Sequence, residues 1–136
     1  MTYEDVIRRE LAESKHLGPV VEALESLKGK SVLLFSHDDP DGITSAAIMF
    51  RALKKIGART RVIMPPRYDL EIPDVEAALA DGPADAVVCL DKGTSAKADE
   101  LLSLVPQVIV IDHHFMQGTI QKALWYNPGE LKRSYA

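Results

Sequence analysis

The 136-residue sequence is short of thiols, aromatic rings and long apolar runs, and each shortage excludes something. Its one cysteine, Cys89, cannot form an internal disulfide, so a disulfide-built secreted scaffold is excluded and a reducing cytoplasm is the expected compartment. No run approaches the roughly 20 apolar residues of a spanning helix. The opening Met1-Thr2-Tyr3-Glu4-Asp5 has neither a basic leader nor an apolar stretch, and a soluble protein with no membrane partner is expected. Three Phe, four Tyr and one Trp supply no platform on which a nucleic-acid strand would stack. Basic charge is not in excess either. The net charge of −4 argues against a broad basic surface for duplex DNA. Two divalent cations held by acidic residues would return positive charge and draw phosphate to the site, which keeps nucleic acids and nucleotides open as substrates.

What the chain does have is a core and a rhythm. With 46% hydrophobic residues it is long enough to bury one domain's core without staples. Val6, Ile7 and Leu11, then Val20, Val21, Leu24 and Leu27, recur at helical spacing and predict an N-terminal helical segment over 1–30, with a break at Gly18-Pro19. The continuous apolar run of Ser31 to Phe35 reads as a buried parallel strand. Helices at Gly42 to Ile56, Pro73 to Ala80 and Thr94 to Leu104 then alternate with strands at Arg61 to Met64, Ala86 to Leu90, Val108 to Ile111 and Leu124 to Tyr126. Such alternation predicts an α/β domain over 31–136: an open, mainly parallel sheet of about five strands with helices on both faces. Ligands of such sheets bind beyond the carboxyl ends of the strands. Acidic and histidine residues follow strands one, three and four, so those should be neighbours, in the order 2-1-3-4-5.

Three segments carry the chemistry: His37-Asp38-Asp39-Pro40-Asp41-Gly42, Asp91-Lys92-Gly93-Thr94-Ser95 and Asp112-His113-His114. In an extended segment His37, Asp39 and Asp41 alternate onto one side, and Gly42 permits the turn into the helix. Taken singly, Asp-Gly after a strand is turn chemistry and one histidine is as readily structural as ligating. Their coincidence at three strand ends argues for a metal site. So many carboxylates at one edge repel unless cations lie among them. The mix of carboxylate and imidazole favours Mn²⁺, with Mg²⁺ second and Zn²⁺ disfavoured for want of thiolates. Asp91, central in the expected order, is the best bridge between two ions. Lys92, Thr94 and Ser95 either position a phosphate at a helix N-terminus or serve as ordinary caps. His16 reads as a surface residue, Arg67-Tyr68 as a solvated loop, and Lys132-Arg133 as a solvated tail.

In order and spacing, His37-Asp38-Asp39-Pro40-Asp41-Gly42-Ile43-Thr44-Ser45-Ala46, Asp91-Lys92-Gly93-Thr94 and Asp112-His113-His114 resemble motifs I, II and III of the DHH phosphoesterases, in the form of RecJ-like members. The resemblance implies a two-manganese centre that hydrolyses phosphodiester or related bonds by activating water between the ions. Carried over by position, Asp39 with His37 holds one ion, Asp41 and His113 the other, and Asp91 both. Asp112 orients the neighbouring histidine, and His114 faces the scissile phosphate or helps hold a metal. A 5′ exonuclease acting on single-stranded DNA or RNA is the expected function. Small nucleotides or oligoribonucleotides are the alternative substrates, and a non-catalytic replication or repair scaffold is the alternative role. The family's fourth metal-binding aspartate and its second, substrate-binding domain have no match here. After His114 the only acidic side chain is Glu130, in no recognisable motif. The expectation is an N-terminal piece of a longer protein, or a minimal form that is weak, silent or completed by a partner subunit.

Overall fold

The structure, a computed structural model described over residues 1–66, 69–116 and 118–131, opens with helices α1 (Tyr3–Glu13) and α2 (Leu17–Glu25). Arg67, Tyr68, Lys132 and Arg133 lie outside the described residues. Thr2 and Asp5 form a reciprocal capping box that satisfies N–H groups left unpaired at the start of α1. The break between the helices is not at Gly18-Pro19. Ser14 ends α1, and its Oγ accepts from the N–H groups of His16 and Leu17, each at 3.2 Å. Gly18 and Pro19 stand in the first turn of α2, where a proline removes no helical hydrogen bond.

Strands β1 (Ser31–Phe35), β2 (Arg59–Ile63), β3 (Ala86–Leu90), β4 (Gln107–Ile111) and β5 (Leu124–Tyr126) form one parallel sheet. Its order, β2-β1-β3-β4-β5, is the one the sequence predicts. Phe35 pairs with Cys89 and Leu90 with Ile111, so β1, β3 and β4 end close to level at one edge. Helix α3 (Pro40–Ile56) joins β1 to β2, α4 (Ile72–Ala80) joins β2 to β3, and α5 (Lys97–Glu100) precedes β4.

Alternation along the strands sorts the core into two layers. Leu33, Phe35, Val87, Cys89 and Val110 face Val75 of α4 and Ala98 of α5, while Val32, Leu34, Val88 and Ile109 face α2 and α3. Each fully buried Val or Leu contributes about 1.5–3 kcal/mol, so this sheet is the rigid support for whatever stands at its edge. Helix α2 belongs to that support, because its Val20 and Ala23 are buried in the same layer as Ala46 and Leu53 of α3.

Three further boundaries differ from expectation by two residues or more. Helix α3 begins at Pro40, two residues before the predicted Gly42, because Asp39 caps it by accepting from the Gly42 N–H at 2.9 Å. Strand β2 runs over Arg59–Ile63, earlier than predicted, since Gly57 ends α3 in a left-handed conformation (φ 92°) and pairing with Ser31 starts two residues later. The helix predicted from Thr94 to Leu104 shrinks to Lys97–Glu100 and a 3-10 turn over Leu101–Ser103. Thr94 is held outside it by a hydrogen bond to Asp112.

Candidate metal centre

The carboxyl ends of β1, β3 and β4 deliver their polar residues to one place. Asp91, directly after β3, is 6% exposed and adopts φ 58°, the left-handed region that aspartate tolerates better than most side chains. Backbone strain of this kind recurs at functional sites. Its two carboxylate oxygens face different partners. Oδ2 lies 3.3 Å from His37 Nδ1, whereas Oδ1 lies 2.8 Å from His113 Nε2 and 3.8 Å from His114 Nδ1.

Asp112, after β4, is the organiser of its own loop. Its Oδ1 accepts from the N–H groups of His113 (2.8 Å) and His114 (3.2 Å) and lies 2.6 Å from His114 Nδ1, while Oδ2 accepts from the Thr94 hydroxyl. Burial opposes ionisation of this carboxyl, but the bonds from Thr94 and His114 outweigh it and hold its pKa below the usual carboxylate value. Asp39 is likewise held low, chiefly by the Gly42 N–H. The Cys89 thiol behind them is pushed up to about 12 by burial, which removes it as a ligand or nucleophile at neutral pH.

Among the described residues two groups bring one potential ligand atom from each member within 4.8 Å of one another: Asp91, Asp112, His113 and His114, and His37, Asp39 and Asp91. Asp91 is common to both. Hard carboxylate oxygens with imidazole nitrogens at this spacing fit divalent ions of the Mn²⁺ kind. Asp41 stands apart from both groups. The predicted one-sided row of His37, Asp39 and Asp41 fails because the chain turns into α3 at Asp39 and leaves Asp41 in the first helical turn. There it lines a groove of about 440 Å³ with Asp91, His113, Ile48, Met49 and Tyr126. Gly42 matters for a different reason than a turn: a Cβ there would lie 2.1 Å from the His37 carbonyl oxygen. Glycine lets α3 start directly beneath the metal-facing strand end.

Lys92, Thr94 and Ser95 line a second pocket of about 120 Å³ with His37 and His114. The helix N-terminus expected at Thr94 is absent, since α5 starts at Lys97. Thr94 serves Asp112, and the Ser95 Oγ accepts from the Lys97 N–H at 3.3 Å. Lys92 is 3% exposed, and its burial lowers the ammonium pKa against the pull of nearby acids.

Sequence reasoning missed the supports. Asn127, 2% exposed, donates to the His114 carbonyl at 2.8 Å, and the Ser36 hydroxyl donates to the Gly42 carbonyl at 2.8 Å. His16, read as a surface residue, stacks on Trp125 with ring centroids 3.9 Å apart. No short-range pattern announces the partners of Asn127 and His16, which lie far off along the chain.

The fold and site define an α/β protein with a carboxylate and imidazole metal-binding centre at the carboxyl edge of a parallel sheet. The chain belongs to the DHH family: the family's N-terminal domain matches residues 31–134. Among solved structures it is similar to an exonuclease RecJ bound to manganese, at 30% identity and TM-score 0.73, over 85% of this chain and 31% of that one. It is also similar to RecJ in complex with Mn²⁺ from Thermus thermophilus, at 28% identity and TM-score 0.70, over 87% of this chain and 18% of that one. The chain thus spans under a third of either RecJ chain. No curated protein matches the sequence. Together the family and these structures support a DHH phosphoesterase core.

Proposed function

We propose that the chain is the catalytic core of a manganese-dependent phosphodiesterase that removes nucleotides from the 5′ end of single-stranded DNA or RNA, working with a further domain or a partner subunit that binds the strand. The observation that carries this reading is Asp91, whose two oxygens address two separate groups of ligand atoms. The similar structures are RecJ chains with manganese, one named as an exonuclease, which favours this metal and cleavage at a nucleic-acid end.

In this reading His37 and Asp39 would hold one ion, His113 the other, and Asp91 both, and Asp41 would have to move in from the groove wall to complete the second. Divalent ions placed there would acidify a water molecule and offset the charge of a phosphate. The protein's part is to hold the ligands still. Asp112 pins the His114 ring at Nδ1, so that its other nitrogen serves a substrate oxygen, and Thr94 fixes Asp112 in turn. Hydrolysis adds water across one P–O bond and releases a nucleoside monophosphate.

The test is release of labelled mononucleotide from a 5′-labelled single strand, a duplex and a dinucleotide. Turnover of the single strand is expected with Mn²⁺, slow in this chain because Asp41 stands outside both ligand groups, and absent with chelator or in Asp91→Ala. Saturated Mn²⁺ binding without release from any substrate would mean a binding module instead of an enzyme.

A further inference from the structure

The family match begins at residue 31, yet the helices before it reach the site. Glu10 of α1 is 6% exposed, and its Oε2 accepts a 2.7 Å hydrogen bond from the Tyr126 hydroxyl. Beside it, His16 stacks on Trp125 with planes at 30°. These contacts join the N-terminal segment to β5, whose Tyr126 carbonyl accepts from the Asp112 N–H at 3.1 Å. A buried carboxylate is costly unless hydrogen bonds meet it, so Glu10 and the Tyr126 hydroxyl fix one another.

Tyr126 also walls the 440 Å³ groove, whose lining mixes two chemistries. Asp41, Asp91 and His113 are polar, and Asp91 and His113 belong to the metal-binding groups; Ile48, Met49 and Tyr126 supply apolar surface with one aromatic ring. A ligand that matches both carries an anionic group for cations held at the carboxylates and a flat apolar group beyond it. A nucleotide has this form. A bare phosphate or a sugar phosphate leaves the apolar lining in contact with water.

We propose that the groove seats the base of the nucleotide whose phosphate is cleaved, that the base stacks on Tyr126, and that Glu10 is a positioning residue holding that ring. The inference rests on the phosphoesterase reading above and names its nucleoside subsite. Every base has a π face, so a single ring accepts all of them, and it replaces the stacking platform that the composition lacks.

The experiment compares AMP with ribose 5-phosphate, which carries a hydroxyl where AMP carries the base, binding to the 136-residue chain in saturating Mn²⁺. Trp125, the sole tryptophan, gives the fluorescence signal. AMP is expected to bind about tenfold more tightly, the scale of one base-aromatic stack. Tyr126→Leu should erase that margin while Mn²⁺ and ribose 5-phosphate bind as before. Glu10→Ala and Tyr126→Phe should each shrink it several-fold, Glu10→Gln should retain most of it, and Glu10→Ala should add nothing to Tyr126→Phe. Equal affinity for the two ligands in the wild type would overturn the base subsite and leave the phosphoesterase reading standing. No binding of either ligand to the Mn²⁺-loaded protein would overturn both. A Glu10→Ala protein that melts earlier but keeps the full margin would reduce Glu10 to a structural residue and overturn its positioning role.

Discussion

Asp91 combines three properties that seldom meet in one residue: near-complete burial, a left-handed backbone, and a carboxylate approached by three imidazoles. An ionised buried carboxylate needs close opposite charge or hydrogen bonds, and cations between its neighbours would supply the charge. Replacing Asp91 with alanine is therefore expected to remove both sites and not merely one. Losing a group that only orients a ligand already costs about 10–100-fold in metal affinity, so loss of the shared ligand should exceed about 100-fold. Calorimetric titration with Mn²⁺ reads this directly, and two undiminished binding steps in Asp91→Ala would end the bridging assignment. The residue type and its place after a strand were legible in the sequence. Which oxygen meets which imidazole was not, because it depends on the backbone angle at Asp91 and on the paths of the loops that carry His37, His113 and His114.

At the scale of elements, the site depends on short pieces held by side chains. Helix α5 is only Lys97–Glu100, too short to be stable alone. Asp99 anchors it by accepting from the N–H groups of Gln121, Lys122 and Ala123 at 2.7–2.8 Å, which ties it to the approach to β5. Burial opposes ionisation of Asp99, but these three bonds outweigh it and its pKa lies below the ordinary value of 3.8. Since the folded pKa is depressed, its stabilisation is full above the unfolded pKa and is lost as pH falls through the folded one. The urea midpoint should thus drop below about pH 4, and less steeply in Asp99→Asn. Equal steepness in the two proteins, measured between pH 6 and pH 2.5, would show that Asp99 is not the linked group. Helical periodicity in the sequence overestimated this element, because Thr94 is committed to Asp112 across the sheet edge and is lost to the helix.

For the molecule as a whole, the ligands come from separate segments, so metal binding and folding are linked. Manganese at about 100 times its dissociation constant should stabilise the fold by about 2.7 kcal/mol, seen as a rise in melting temperature that chelator reverses. An unchanged melting temperature at a concentration where calorimetry shows saturation would mean that the unfolded chain binds the metal equally well. By itself the sequence determined the strand order and the three polar segments, because continuous apolar runs, alternating elements and short-range motifs are local properties that a linear chain carries openly. The tertiary structure decided the rest. It moved Asp41 off the row by capping α3 at Asp39, turned Asp91 toward two ligand groups, and brought Glu10 and His16 onto β5. These depend on contacts between residues distant in the chain, which exist only once the sheet has brought its edges together.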